Sequence, residues 1–232
     1  MIRILPWGLG LLSFAGAAIA ACDYANLAET AEKYDFLMST GDHSLFDNLS
    51  YDLVYKENDK DASFLLGIAA LGLYISANRT FYDTTLCKFI TEHVVTNPEH
   101  PYIIQTQTYV KNGIVEVFDI LVTDEGDFNF NATGYKEQVY SQKWDLIPEN
   151  KRDTRQVLQA AADAYLDHLH DRTLPFPVGP TCSVVTGGVY LKRNGTVTDS
   201  CTHQPPKPGE PIQTITNRRY VIDEVCNLQR SL

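Results

Sequence analysis

The stretch from Pro101 to Tyr140 constrains this chain more than any other. It holds two long alternating segments, Tyr102 to Val110 and Ile114 to Thr123, joined by Lys111-Asn112-Gly113. An Asn-Gly step between two such segments is a strong local hairpin signal, so an antiparallel sheet is expected at the centre of the fold. On the second segment Ile114, Glu116, Phe118, Ile120 and Val122 share one face, while Val115, Val117, Asp119, Leu121 and Thr123 share the other. Each largely apolar face thus carries one acid. The two acids lie three residues apart, so they point to opposite sides unless a bulge intervenes.

The flanking chain supplies helices and further strands. Leu27, Ala31, Tyr34 and Met38 recur at helical spacing between Asn26 and Thr40, with Gly41 as the stop. Asp42 can cap a short helix through Phe46 to Asn48, and Tyr51, Leu53 and Tyr55 then alternate as a half-buried strand. Glycines interrupt the apolar run Phe64 to Ile75, which predicts a helical turn around Leu65 to Ala70 and a strand near Leu71 to Ser76. One strand is expected from Thr80 to about Val94 and another from Phe128 to Tyr140, interrupted at Gly134. After the linker Pro148 to Asp153, the stripe Leu158, Ala161, Ala162, Tyr165 and Leu169 marks a second long helix, capped by Asp153 or Thr154. Seven of the eleven prolines lie between Pro175 and Pro211, so that part reads as loops and turns. A last strand, Arg219 to Val225, is expected to stop short of a partner. The pattern is α+β, with helices on one face of a curved sheet. It divides into an α+β domain at 21–147, a linker and helix at 148–172, and a proline-rich extension at 173–232 that reads as truncated.

Residues 1–20 read as a secretory signal, with Arg3, an apolar run from Leu5 to Ala20, and the small-residue pattern Ala18-Ile19-Ala20 before the cut. A secreted protein is expected, with no membrane span in the mature form, since no other apolar run is long enough. Export agrees with glycosylation sequons at Asn48, Asn78, Asn131 and Asn194 and with five cysteines in the mature part. Cys182 and Cys201 bracket a turn-rich loop whose closure would constrain the unfolded chain by about 3 kcal/mol. Cys22 with Cys87 is the next pairing, which leaves Cys226 as a free thiol, an intermolecular bridge, or the partner of a missing stretch. With 19 basic against 29 acidic residues, a nucleic acid partner is not expected, because phosphate binding needs a basic face. A small-molecule ligand or substrate is.

No zinc spacing, nucleophile elbow or glycine-rich phosphate loop is present, so neither a metal nor a cofactor is expected. Asp163, Asp167, His170 and Asp171 share a helix face opposite the apolar stripe, which reads as a wet acidic face rather than a metal site. What remains are isolated acids and phenols on apolar strands. A carboxylate facing the interior of a curved sheet loses solvation, and the resulting rise in pKa suits proton transfer near neutral pH. Asp83, Glu116 and Asp119 are the catalytic candidates, and Tyr51, Tyr55, Tyr82 and Tyr109 are candidates to line the same cavity. The plainer alternative is a solvent-exposed sheet face on which these acids merely sit.

The runs DTTLCKFITE, HPYIIQTQTYVKNGIVEVFDILVTDEGDFNFNATGY, IPENKRDTRQVLQAAADAYLDHL and NRRYVIDE occur in that order. Together they resemble a group of secreted fungal proteins classed as a domain of unknown function, the DUF8021 group, over about Tyr24 to Glu224. Its N-terminal part is similar to the SnoaL-like, NTF2-like cone. The resemblance implies a curved sheet wrapped around N-terminal helices with a pocket at the mouth. The wider superfamily includes cofactor-free cyclases, isomerases and dehydratases and also non-catalytic binding modules, so the resemblance implies first a secreted, cofactor-independent isomerase, cyclase or lyase serving fungal secondary metabolism, with a non-catalytic ligand-binding or effector-like protein as the alternative. Two departures stand out. Related chains continue past NRRYVIDE, whereas this one ends at Leu232, and Phe118 stands between Glu116 and Asp119 where relatives tend to carry an acid.

Overall fold

The computed structural model describes residues 22–142, 145–179, 182–190, 215–226 and 228–231. The expected signal segment, Cys201 and Asn194 lie outside the described residues. The fold is α+β: a curved six-stranded sheet with three α-helices among the described residues. The expected hairpin is its centre. Strand β5 (Tyr102–Lys111) and strand β6 (Ile114–Thr123) flank a turn in which Asn112 and Gly113 take φ of 52° and 78°, the left-handed pair that such a turn requires. The remaining strands of the sheet are β1 (Leu49–Glu57), β2 (Lys60–Asp61), β3 (Ala77–Asp83) and β4 (Lys88–Val95). Their order is β2-β1-β6-β5-β4-β3, with β1 and β6 parallel and every other pair antiparallel.

Helix α1 (Tyr24–Thr40) starts at Asp23, whose side chain accepts the Asn26 N–H, and ends at Gly41. It buries Leu27, Ala31, Tyr34, Leu37 and Met38 against one sheet face, where Phe89, Ile104, Phe118 and Ile120 meet them. Each such aliphatic side chain gives about 1.5–3 kcal/mol on leaving water. Helix α2 (Ala132–Ser141) packs Ala132 and Val139 on Ala77, Val94 and Ile103, which alternate to the opposite face. The helices therefore lie on both faces, not on one.

Several local expectations are corrected. The predicted strand Phe128 to Tyr140 is helix α2 over most of its length: Asn131 accepts the Gly134 N–H, and Ala132, Tyr135 and Val139 follow helical spacing. The predicted strand Leu71 to Ser76 is irregular, because the Leu73 N–H is taken by the Met38 carbonyl of α1 instead of by a ladder. The single strand Thr80 to Val94 is two, β3 and β4. Asp83 Oδ1 accepts the Leu86 N–H across their turn, and Cys87 adopts φ 51°. Cys87 is bonded to Cys22, the second of the two expected pairs, which ties this turn to the start of α1. Among the described residues, no helix is long and apolar enough to cross a membrane.

Helix α3 (Arg155–His170) starts at Thr154 as expected. A short hairpin, β7 (Val185–Thr186) and β8 (Val189–Tyr190), follows it, and then β9 (Tyr220–Asp223) and β10 (Leu228–Ser231). The last expected strand is thus not short of a partner, since β10 pairs antiparallel with it. Val221 of β9 packs on Phe81 and Ile90, on the same sheet face as α2. The acidic face of α3 is not simply wet either. Arg218 bridges Asp163 and Asp167, and the Tyr220 hydroxyl donates to Asp163. The Tyr220 bond first, then Arg218, holds the Asp163 carboxyl below its ordinary value of 3.8. A depressed carboxyl stabilises the fold fully above its unfolded pKa and loses that contribution as pH falls through the folded one. Asp163→Asn should therefore lower the urea midpoint at neutral pH, with the gap to wild type closing below pH 3.8.

Candidate functional site

The middle of the sheet face beneath α1 is filled by side chains, and an open cavity of about 580 Å³ lies only at its edge, between Thr30 and Lys33 of α1, Asp47 and Val110. In that middle Phe118 is fully buried, stacked between Tyr34 and Phe64 at centroid distances of 5.1 and 5.7 Å, with Phe46 edge-on at 5.8 Å. The Tyr34 hydroxyl meets Thr106 Oγ1 at 2.7 Å, and burial pushes its pKa well up. Fully buried His93 places Nε2 2.7 Å from Asp35 Oδ1, and Asn78 donates to the other oxygen of Asp35. That triad ties α1 to the β3–β4 hairpin.

The sequence-predicted acids fall in separate places. Asp83 is fully buried, and each of its oxygens accepts two bonds. Oδ1 takes Arg155 Nη1 and the Leu86 N–H, and Oδ2 takes Arg155 Nη2 and the Ile222 N–H, all between 2.7 and 3.0 Å. Glu116 is the extra residue of a bulge, because Tyr109 pairs with Val117 and Val110 with Val115. Its exposed carboxylate faces Lys111 at 3.5 Å. Asp119 is buried on the outer face, with Arg219 at 3.4 Å. The tyrosines are equally dispersed. Tyr51 is fully exposed, and Tyr55 lies in the core donating to Glu57. Tyr82 packs between Tyr24 and Phe89, where burial pushes its pKa up to about 12. Tyr109 is on the opposite face, donating to Gln107. The structure does not bring these seven residues to one cavity.

Of the sequons, Asn48 Nδ2 donates to the Gly113 carbonyl and Asn78 Nδ2 to Asp35, while Asn131 caps α2. Asn78 and Asn131 are exposed and Asn48 is half-buried. Cys226 is a free thiol, with burial and then Asp223 raising its pKa.

A cleft does exist, on the outer face. Ile103 and Gln105 of β5 and Leu121 of β6 form its base, because beyond the bulge at Glu116 the odd positions of both strands face away from α1. Phe128 and Phe130, on the turn after β6, and Tyr135 of α2 form its walls. The β7–β8 turn closes one side at Gly187. The Asn131 N–H donates to the Gly187 carbonyl at 2.6 Å, and a Cβ on Gly188 would lie 1.9 Å from the Asn131 carbonyl oxygen, so this close approach requires glycine. The cavity measures about 230 Å³ and is walled mainly by apolar groups. Behind its base, Glu92 is fully buried. Gln105 Nε2 and the Tyr135 hydroxyl both donate to its Oε1 at 2.8 Å, and Arg79 Nε donates to Oε2.

None of these cleft residues was singled out from sequence, although one signal was present. Glu92 in FITEHVV is an acid on an apolar strand, as Asp83 is. The partners Gln105 and Tyr135 depended on the β4–β5 register and on a helix read as a strand.

Residues 151–229 match a family model described as a domain of unknown function (DUF8021). No curated protein and no solved structure matches this chain. The match is narrower than the resemblance over Tyr24 to Glu224. It spans α3, β9 and the first two residues of β10, so Arg155–Asp83 and Asp223–Tyr82 join the matched stretch to a sheet outside it.

Proposed function

We propose that this chain is a secreted, non-catalytic binding protein for a small, flat, mainly apolar molecule with one hydrogen-bonding group, held in the outer-face cleft. The observation that carries the reading is an apolar cavity whose adjoining carboxylate, Glu92, is already committed to Arg79, Gln105 and Tyr135. Because the Gln105 amide nitrogen is spent on Glu92, its carbonyl oxygen is the group left to fix a ligand hydroxyl or N–H. At about 230 Å³ the cavity falls below the roughly 300–1,000 Å³ of sites for drug-sized ligands, so one or two fused rings suit it. Secretion is supported by the Cys22–Cys87 bond, which persists in an oxidising compartment. An NTF2-like cone is supported by β1 lying parallel to β6 while β5, β4 and β3 follow antiparallel, with α1 across one face.

A second reading, a cofactor-independent isomerase, cyclase or lyase, has one specific foothold: the Tyr135 phenol bonded to a wholly buried carboxylate beside the cleft. One experiment addresses both. Fluorescence titration with 2-naphthol should give saturable binding, weakened about tenfold or more, or roughly 1.4 kcal/mol, by Leu121→Arg. Phe128→Ser should weaken it too. Leu121 and Phe128 are 40% and 81% exposed, so neither change should disturb folding. Binding untouched by both substitutions would sink the cleft, and conversion of a bound compound that Tyr135→Phe abolishes would favour the enzyme.

A further inference from the structure

Lys88 is a largely buried cation without a carboxylate partner among the described residues, and its surroundings give it a chemistry of its own. It opens β4 on the outer face and is only 5% exposed. Lys33, Lys56 and Lys111 each face a carboxylate. Among the described residues Lys88 has no ion pair or hydrogen bond, and its Nζ lies over the Tyr109 ring, 5.2 Å from the centroid. Its cross-strand neighbour is Asp83, the anion that would ordinarily hold it. The four bonds from Arg155, Ile222 and Leu86 occupy both oxygens of that carboxylate. The Arg155 guanidinium adds a like charge beside Lys88. Burial, opposed by Asp83 and assisted by Arg155, lowers the pKa of the amine.

We propose that Lys88 is a nucleophilic amine that captures small aldehydes or ketones as an imine beside Tyr109. The neutral nitrogen adds to the carbonyl carbon to give a carbinolamine. Loss of water then forms the C=N bond, the carbonyl oxygen leaving with the two amine hydrogens, and nothing is oxidised or reduced. The Tyr109 ring lies against the amine as an apolar neighbour, and its hydroxyl is engaged by Gln107. A buried amine without a counter-ion favours this product, because the neutral imine removes a charge that the site does not balance. The site is separate from the cleft and stands whether or not the cleft binds a ligand.

The test is reductive alkylation of the intact native chain with limiting propanal and cyanoborohydride, read by peptide mass. At about pH 7 Lys88 should carry the propyl group several-fold more often than exposed Lys111. The ratio should fall as pH rises towards about 10 and vanish in urea, where the two amines become equivalent. Labelling of Lys88 no faster than Lys111 would overturn the proposal. Lys88→Met, which keeps the buried stem and removes the amine, should abolish that labelled peptide and leave the melting temperature unchanged or raised. A large fall in melting temperature would mean that a charged ammonium supports the fold there, and would also overturn it.

Discussion

Asp83→Ala is expected to destabilise the protein by about 3–5 kcal/mol, the range for removing one partner of a buried, hydrogen-bonded ion pair. The substitution strands more than Arg155. It also leaves the N–H groups of Ile222 and Leu86 without the acceptor that both now use. Ile222 belongs to β9 and Arg155 to the first turn of α3, so one carboxylate of the sheet anchors both elements of the C-terminal stretch. Adding Arg155→Met to Asp83→Ala should recover part of the loss, because the uncompensated cation is then gone. Urea unfolding of the four proteins of this cycle measures the effect. If Asp83→Ala instead stayed within about 0.5 kcal/mol of wild type while erasing an activity, the carboxylate would be a catalytic group and its four bonds incidental.

Asp83 also marks where sequence stopped being a guide. An acid embedded in FYDTTL can face a substrate or a partner, and which one depends on what lies above it. Here that is Arg155, 72 residues away. The elements that periodicity does govern were legible: the β5–β6 hairpin through its alternation and Asn-Gly turn, and α1 and α3 through their stripes and caps. Those decided by tertiary contact were not. Helix α2 depends on Asn131 as a cap in a stretch whose aromatic content favours strand, and the β3–β4 turn uses no glycine, only a left-handed Cys87 and the Asp83 carboxylate.

The candidate site was the least legible part, for a related reason. Its base is a period-two pattern on β5 and β6, but its walls come from a turn, a helix and the β7–β8 hairpin, brought together by approaches such as Gly188 against Asn131. The Glu116–Asp119 question was posed correctly by their spacing and answered by the bulge. Glu116 sits at the bulge paired with Lys111, and Asp119 stays on the outer face with Arg219.

Phe118→Ala is expected to cost about 3–5 kcal/mol, the usual range for emptying a buried aromatic position. Phe118 has no exposed surface and meets four rings, those of Tyr34, Phe46, Tyr55 and Phe64. Two of these cannot collapse freely into the space it would leave, because Tyr34 is held by Thr106 and Tyr55 by Glu57. The resulting cavity would be walled by ring faces, hence dry and able to take benzene. The variant should therefore lose stability and gain benzene binding, while the 2-naphthol binding proposed for the outer cleft should match that of the wild type. Phe118 is the centre of the packing beneath α1, so the substitution also separates two views of the interior. A near-neutral variant that no longer bound 2-naphthol would make the space beneath α1 the ligand site and remove the basis for the outer cleft. A destabilised variant with naphthol binding intact would leave the interior as packing and support the outer cleft as the proposed binding site.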